Sequence, residues 1–463
     1  MTDLPTTVED AYNAVNPDVP LYAGEADPRY VDLTDVRGGN DLAASIARSI
    51  RRSDRSPSTI FSKLLFTGHR GCGKTTELFR LKLELEELGY FVVYFDVQEE
   101  LDIADVSYLD VLVTLAQETE RQLRESEVFS IVLNPELLER IARWFGTTII
   151  FEEKGRDVER VLKTEYGLGL ESPALVLAKM FARVKGEIKS SSKQRETYRR
   201  QLERNVWDLI TSVNDLLDDA RFRLEQAGSA GLVVIVDGLE KVIYREIGGE
   251  GGKGKRSSHE ILFIEHNEQL KAPRCHIIYT IPLSLLSNQN VAQVFPDGYF
   301  LVPMVKVVEL GGGKCEAGRE ALYQVIARRL DVGTIFESAS LVQRLVEMSG
   351  GHVRDLLRLV RYAFDLVDDQ VKSFHIERAC QRLVNEYDRL THDKDLPYLH
   401  KVHLERCAPT DLEFSLLLFN LLVLEYQNGS LWADVHPAVQ ATRKFCKYLE
   451  NQQAVLVPAD EDI

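Results

Sequence analysis

Residues 63–76 read KLLFTGHRGCGKTT and fit the pattern G-x-x-x-x-G-K-[ST] through Gly68, Gly73, Lys74 and Thr75. Residue types at this spacing serve one chemistry, the binding of a nucleoside triphosphate. Glycines let the backbone wrap closely around an anion, partly at positive φ. The N–H groups around Gly71, Cys72 and Gly73, and those of Thr75 and Thr76 at the start of the next helix, attract it. Lys74 is expected at the β and γ phosphates and the Thr75 hydroxyl on a Mg2+ ion. An apolar strand leads in and an amphipathic helix leads out, the context that separates a phosphate loop from a glycine-rich turn. Cys72 reads as a tolerated small residue. His69 and Arg70 occupy variable loop positions and are expected to face a partner rather than the nucleotide.

Three further stretches carry candidate chemistry. VVIVDGLEK (233–241) places Asp237 at the end of a buried strand, where Mg2+ ligation needs a carboxylate. Glu240, three residues on, either polarises the attacking water or is a helix-start acid favoured by the dipole. IIYTIP (277–282) puts Thr280 at a strand tip, to hold that water or to satisfy a local backbone group. SGGHVRDLLRLVRYAF (349–364) is a helix opened by a Gly-Gly break. Arg354 near its N-terminus opposes the helix dipole, a placement that makes sense if the guanidinium meets an anion. Arg358 and Arg361 read as solvated residues of an amphipathic helix.

The elements that must position these residues alternate between strand and helix. Strands are expected at 63–67, 90–97, 231–237, 275–281 and 298–307, with helices near 40–50, 75–88 and 108–128, giving an α/β, doubly wound parallel sheet. The segment 130–228 is too long for a connection and reads as a helical insertion, with 152–173 loop-like. The organisation is then 1–60 as a lead-in, 61–310 as the nucleotide domain, 316–392 as a helical lid, and 396–463 as a winged-helix-like domain. The last assignment rests on helices followed by two short strands around Gln427-Asn428-Gly429-Ser430, since Asn-Gly is a strong hairpin signal.

Composition narrows the classes. Net charge is −16 over 463 residues, which excludes a chain that coats nucleic acid over its whole surface. Residues 395–463 carry net −5, so the C-terminal segment is expected to pack on the nucleotide domain or a protein. Residues 183–204 carry net +5, and with the glycine-rich loop around 253–256 they are the candidate contacts for nucleic acid. Both can equally be solvated faces. Six separated cysteines support neither a metal site nor a disulfide framework. With no basic-then-apolar leader and no span-length apolar run, a cytoplasmic protein without a membrane segment is expected.

These pieces in this order resemble the AAA+ ATPases and their STAND relatives, over about 30–390 without the insertion. The resemblance implies ATP and Mg2+ as ligands. Asp237-Gly238-Leu239-Glu240 looks like the STAND form of the acidic strand end. Thr280 falls at the family's first sensor position and Arg354 at the arginine of its second. VDLTDVRGG is similar to the N-terminal box, which would put Arg37 and Gly38 near the adenine. Unlike ring motors, the segment 282–298 has no Arg or Lys to reach a neighbour's phosphate, leaving Arg274 or the insertion as the remaining sources. The resemblance implies a slow ATP-hydrolysing switch that assembles with itself or a protein effector, as in bacterial defence or signalling. The alternative is a DNA-dependent ATPase resembling origin-recognition or transposition regulators.

Overall fold

A computed structural model describes all residues except 1–3, 23–25, 56–60, 155–157, 172–174, 177–178, 181–202, 248–255, 408–411 and 457–463. Strands β1 (Lys63–Gly68), β2 (Tyr90–Asp96) and β3 (Gly231–Asp237) belong to the central sheet. The short pair β4 (Glu246–Ile247) and β5 (Arg256–Ser257) lies outside it, and β6 (His276–Pro282) and β7 (Tyr299–Val302) complete it. The sheet order is β2-β3-β6-β1-β7, with every pairing parallel. β1 and β6 are buried at every residue, as strands covered on both faces must be. On one face, helices Tyr108–Glu125 and Val206–Gln226 pack over Leu65, Phe95, Val234 and Tyr279. On the other, helices Leu42–Asp54 and Lys74–Glu87 cover Leu64, Phe66, Ile235 and Ile278. The alternation follows from the two-residue period of a strand.

β6 stands between the loop strand β1 and the acidic strand β3, so Thr280 pairs in register with Phe66 while Tyr279 pairs with Val236. The fifth strand is shorter than 298–307 because Pro303 has no N–H for the ladder. The chain then leaves the sheet, and Met304 donates to the Glu425 carbonyl and Lys306 to that of Val36.

Within 130–228 the described elements include helices Pro135–Lys154, Val158–Glu165 and Val206–Gln226. The 152–173 stretch is therefore not all loop. Val161 and Leu162 bury against the insertion's core, and Leu168 N–H closes the helix back on the Leu162 carbonyl at 3.0 Å. The polar residues around this short helix masked its periodicity. Among the described residues no helix is long and apolar enough to cross a membrane, and the six cysteines are unpaired.

Five helices lie between Glu316 and Leu390, the segment expected to act as a lid, including Ala339–Ser349, Val353–Phe364 and Ser373–Leu390. Helices Leu396–Glu405 and Leu412–Phe419 then lead to the hairpin β8 (Val423–Asn428) and β9 (Ser430–Val435), followed by helices Pro437–Gln440 and Arg443–Leu456. Gly429 turns the hairpin at φ 74. Trp432 is buried and stacks on Tyr426, ring centres 4.4 Å apart. The five helices and one side of the C-terminal segment share one apolar core, while Leu424, Tyr426 and Trp432 of the hairpin join the core between the sheet and helix Lys74–Glu87.

Candidate functional site

β1 ends in the loop, and Gly73 at φ 101 turns it into the helix that opens at Lys74. Only glycine takes that backbone conformation without strain. Lys74 is buried. Its ammonium donates to the carbonyls of Gly68 at 3.1 Å and His69 at 3.0 Å, and pairs with Glu240 Oε1 at 3.1 Å. The Thr75 hydroxyl donates to Asp237 Oδ2 at 2.7 Å, and the Gly238 N–H donates to Oδ1 at 2.7 Å. Asp237 and Glu240 have opposite electrostatics. Burial and the Glu240 charge push the Asp237 carboxyl up to about 6. Burial would raise Glu240 too, but the Lys74 ammonium prevails and holds it below the usual range. Lys74 is correspondingly held above its ordinary value despite burial.

A cleft of about 710 Å³ opens over this floor, within the size range of small-molecule sites. Loop residues 70–76 and Glu240 line one end; Val31, Leu33, Val325, Val353 and Leu357 give it an apolar wall. Among the described residues, buried polar atoms of the cleft without a hydrogen-bond partner include Arg37 Nε, Glu240 Oε2 and Arg354 Nε. Unsatisfied buried groups are costly, and these belong to residues that would meet a phosphate or its attacking water. The residues therefore fit a nucleotide and its metal. The loop N–H groups, Lys74, Arg37 and Arg354 would hold the phosphates, and the adjacent oxygens of Thr75 and Asp237 would hold Mg2+. When bound, Mg2+ supplies charge neutralisation at the phosphates.

The expected site residues are not all placed as read. Thr280 makes the bonds of the second of its two readings, to local backbone groups, and is not among the residues lining the cleft. Its buried hydroxyl accepts from the Leu239 N–H at 3.1 Å and donates to the Val236 carbonyl at 3.3 Å, which shapes the turn from Asp237 to Glu240. Arg37 lines the cleft and lies against the loop. It donates to the Cys72 carbonyl and pairs with Glu77 at 3.5 Å. Gly38 packs under Gln427 of β8. The Thr76 hydroxyl accepts from the Leu21 N–H at 3.4 Å. Arg354 lines the cleft with its guanidinium 3.8 Å from Asp18. Arg358 is not an idle solvated residue, for it bonds Asp355, Tyr362 and Glu386; Arg361 lies over the Tyr12 ring at 4.2 Å. His69 and Arg70 do not face outward. His69 is buried, and Arg70 donates to the Glu240 carbonyl at 3.0 Å with its guanidinium over Phe419. Arg274 pairs with Asp218 at 3.0 Å. The basic stretches 183–202 and 253–255 lie outside the described residues, and Arg256 pairs with Glu265 at 2.5 Å.

Two contributors escaped sequence reading. The Tyr94 hydroxyl donates to Asp237 Oδ2 at 2.9 Å, and Lys241 pairs with Asp96 at 2.9 Å in the cleft. Both positions sit in or beside apolar strands. The sole hint was that Tyr94 and Asp96 share one side of β2 under the two-residue period.

No protein-family model matches the chain, and no curated protein matches it. Solved structures that align with it include Cdc6p from Pyrobaculum aerophilum, at 10% identity and TM-score 0.39, covering 95% of this chain and 98% of that one. The Aeropyrum pernix ORC1 protein, solved in complex with DNA, aligns at 12% and 0.36, covering 96% and 98%. The Thermotoga maritima RuvB Holliday junction branch migration motor aligns at 12% and 0.37, covering 91% and 98%. Scores this low leave the fold resting on the chain's own sheet and loop. A five-stranded parallel sheet whose strand β1 runs into a glycine-rich loop and helix, with the acidic strand end of β3 two strands away across β6, is the α/β fold of a P-loop NTPase.

Proposed function

We propose that the chain is an ATP-binding, slowly hydrolysing switch that couples nucleotide state to assembly with itself or a protein effector. The observation that supports it best is Arg354. It belongs to the lid helix Val353–Phe364, its own N–H bonds the loop carbonyl of Gly71 at 3.2 Å, and its unpartnered Nε belongs to a side chain lining the cleft. A bound triphosphate would replace the exposed Asp18 carboxylate as the anion for this side chain and fasten the helix that already touches the loop. Glu240, held ionised by Lys74, is the proposed general base, and Asp237 with Thr75 the proposed Mg2+ ligands. Thr280 positions the turn that carries Glu240. The division into 1–60, 61–310, 316–392 and a winged-helix-like 396–463 belongs to the same proposal, as do the cytoplasmic setting and a role in defence or signalling, which rest on the resemblance to STAND ATPases.

The test is the mass of the purified chain by light scattering, with protease protection of the lid helices, in the presence of Mg-ATP. The switch predicts a rise in mass together with protection, both absent in Lys74→Ala. Unchanged mass and unchanged cleavage on adding Mg-ATP would overturn it.

A further inference from the structure

The rear of the phosphate loop is held at three consecutive residues by distant parts of the chain. The His69 ring accepts the Glu425 N–H of hairpin strand β8 at Nε2, 2.9 Å away. Burial, with His352 and Lys74 nearby, pushes this ring down to about 3, so it stays neutral and keeps the accepting lone pair. The Arg70 carbonyl takes a hydrogen bond from His352 Nε2 at 2.6 Å. The Gly71 carbonyl takes the Arg354 N–H. Contact here is close enough that a Cβ on Gly71 would lie 2.6 Å from both Arg354 Cβ and His352 Nε2.

His352 is in turn tied to a buried carboxylate. Its Nδ1 lies 3.0 Å from Asp355 Oδ2, and His436 Nε2 lies 3.3 Å from the same oxygen, both somewhat off the line of an ideal hydrogen bond. The Tyr387 hydroxyl donates to that oxygen at 2.7 Å and Arg358 to its neighbour Oδ1 at 2.8 Å. Burial would raise the Asp355 carboxyl, but His352 and His436 beside it hold it well below the usual range. His436 belongs to the C-terminal segment, directly after β9, and stacks on Tyr387 with ring centres 4.4 Å apart. The trio His352, Asp355 and His436 is spaced for a divalent cation. The hydrogen bonds argue otherwise. His436 Nδ1 accepts the Ala438 N–H at 3.0 Å, so its Nε2 carries the proton and has no lone pair for a metal.

We infer that His352 and Asp355 are positioning residues for the phosphate loop, and that His436 links the seating of the C-terminal segment to the loop's grip on nucleotide. This rests on the nucleotide-binding reading above. The chain of contacts is continuous: His436 lies against Asp355, Asp355 lies against His352, and His352 Nε2 donates to the Arg70 carbonyl, so the link to Asp355 requires a second proton on His352 Nδ1. The hairpin acts on the adjacent residue through Glu425 and His69. A partner that lifts the C-terminal segment would release one of the three rear restraints, the bond from Glu425 to His69, take His436 away from the support of a second, and so lower the affinity of the loop. The reverse coupling follows from linkage, so nucleotide strengthens the seating of the C-terminal segment.

Two variants of His436 separate this relay from simple packing. Asn can keep the cap on the Ala438 N–H but is too short to reach Asp355. Gln can reach Asp355 with an amide N–H but gives up the cap. Titrating the full chain with a fluorescent ATP analogue and Mg2+, with thermal unfolding as the check on folding, should show His436→Asn weaker by about tenfold and His436→Gln within about twofold of the unsubstituted chain. The opposite order, or equal affinity in all three, overturns the relay. If His436→Asn does not fold, Tyr387→Phe, which removes one donor to Asp355, should weaken binding by about threefold, and an unchanged affinity there is equally fatal. Stoichiometric zinc in the purified chain, lost in His436→Asn, would replace the relay with a metal site. An unsubstituted chain that binds no analogue sinks the nucleotide reading and the relay together; one that binds while the variants behave identically sinks only the relay.

Discussion

On the cleft side of the phosphate loop, cationic and hydroxyl groups hold partners that a nucleotide would replace. Lys74 rests on Glu240 and two carbonyls, Thr75 on Asp237, and Arg354 is near an exposed aspartate. On the rear, His69 and the carbonyls of Arg70 and Gly71 hold buried partners from the lid and the C-terminal hairpin. Buried atoms without partners occur on both sides, Arg37 Nε, Glu240 Oε2 and Arg354 Nε at the front and His69 Nδ1 and His352 Nδ1 at the rear, so the contrast lies in the bonds that are made. The difference teaches how the two sides divide labour. A ligand site needs groups whose present bonds can be exchanged at little net cost. A rear support needs bonds that persist while the front changes partners. The same seven-residue turn is therefore exchangeable on one side and anchored on the other.

The sharpest way to break this comparison is at Glu240, which belongs wholly to the front. Glu240→Gln keeps the shape and a hydrogen bond toward Lys74 but cannot take a proton. Hydrolysis should fall by about 10²- to 10⁴-fold, the usual loss of a general base, while analogue binding survives. Turnover near the unsubstituted rate would make Glu240 a structural partner of Lys74 and nothing more. Lys74→Ala comes next. Nucleotide affinity should drop by at least about 10²-fold, because a charged donor is lost and Glu240 is left buried without its cation. Measured binding within tenfold of normal would mean that the backbone alone carries the phosphate.

The front was largely legible in the sequence and the rear was not. Gly68, Gly73, Lys74 and Thr75 have fixed spacing because one short loop must meet one anion, and Asp237 announces itself by ending an apolar strand. Nothing local marks His69 as an acceptor for Glu425, since the two are 356 residues apart. His436 simply follows a hairpin strand in the sequence; its proposed role comes from Asp355, which it reaches only after the C-terminal segment folds back onto the preceding helices. Arg358 read as solvated because helical periodicity shows which face a side chain occupies, not which carboxylate waits there. Thr280 read as a strand tip, and two further residues of β6 carried the ladder past it. Tyr94 was hidden by its type, as a tyrosine in an apolar strand looks like core.

Glu425 sharpens the comparison on the rear side. Its backbone anchors His69, while burial pushes its carboxyl from an ordinary 4.5 up to about 7. Below pH 4.5 the group is neutral in both states. Between 4.5 and 7 the unfolded chain alone loses the proton, so stability falls as pH rises, and above 7 the loss is complete. The total is on the order of 3 kcal/mol. Glu425→Gln keeps the backbone anchor and removes the titration. The variant should melt higher than the unsubstituted chain at pH 8 and alongside it at pH 4.5. A difference in melting temperature that is the same at both values would show that the carboxyl ionises freely in the fold.

The smallest effect is expected at Tyr94, and it tests whether the front is as exchangeable as its ligand-free bonds suggest. Tyr94 and Thr75 both donate to Asp237 Oδ2. Thr75 is a proposed metal ligand and must turn its proton away when Mg2+ arrives. Tyr94 has no such second role; its proton can stay on the carboxylate and keep it aimed. Partners of this kind are worth about 10- to 100-fold in metal affinity. Tyr94→Phe should therefore raise the Mg2+ concentration needed for half-maximal hydrolysis by about tenfold, with analogue binding in EDTA unchanged. If the requirement falls instead, the tyrosine competes with the metal, and the front holds no fixed partner at all. If it rises as expected, Asp237 is anchored from the β2 side, and the line between exchangeable and anchored bonds runs through a single carboxylate.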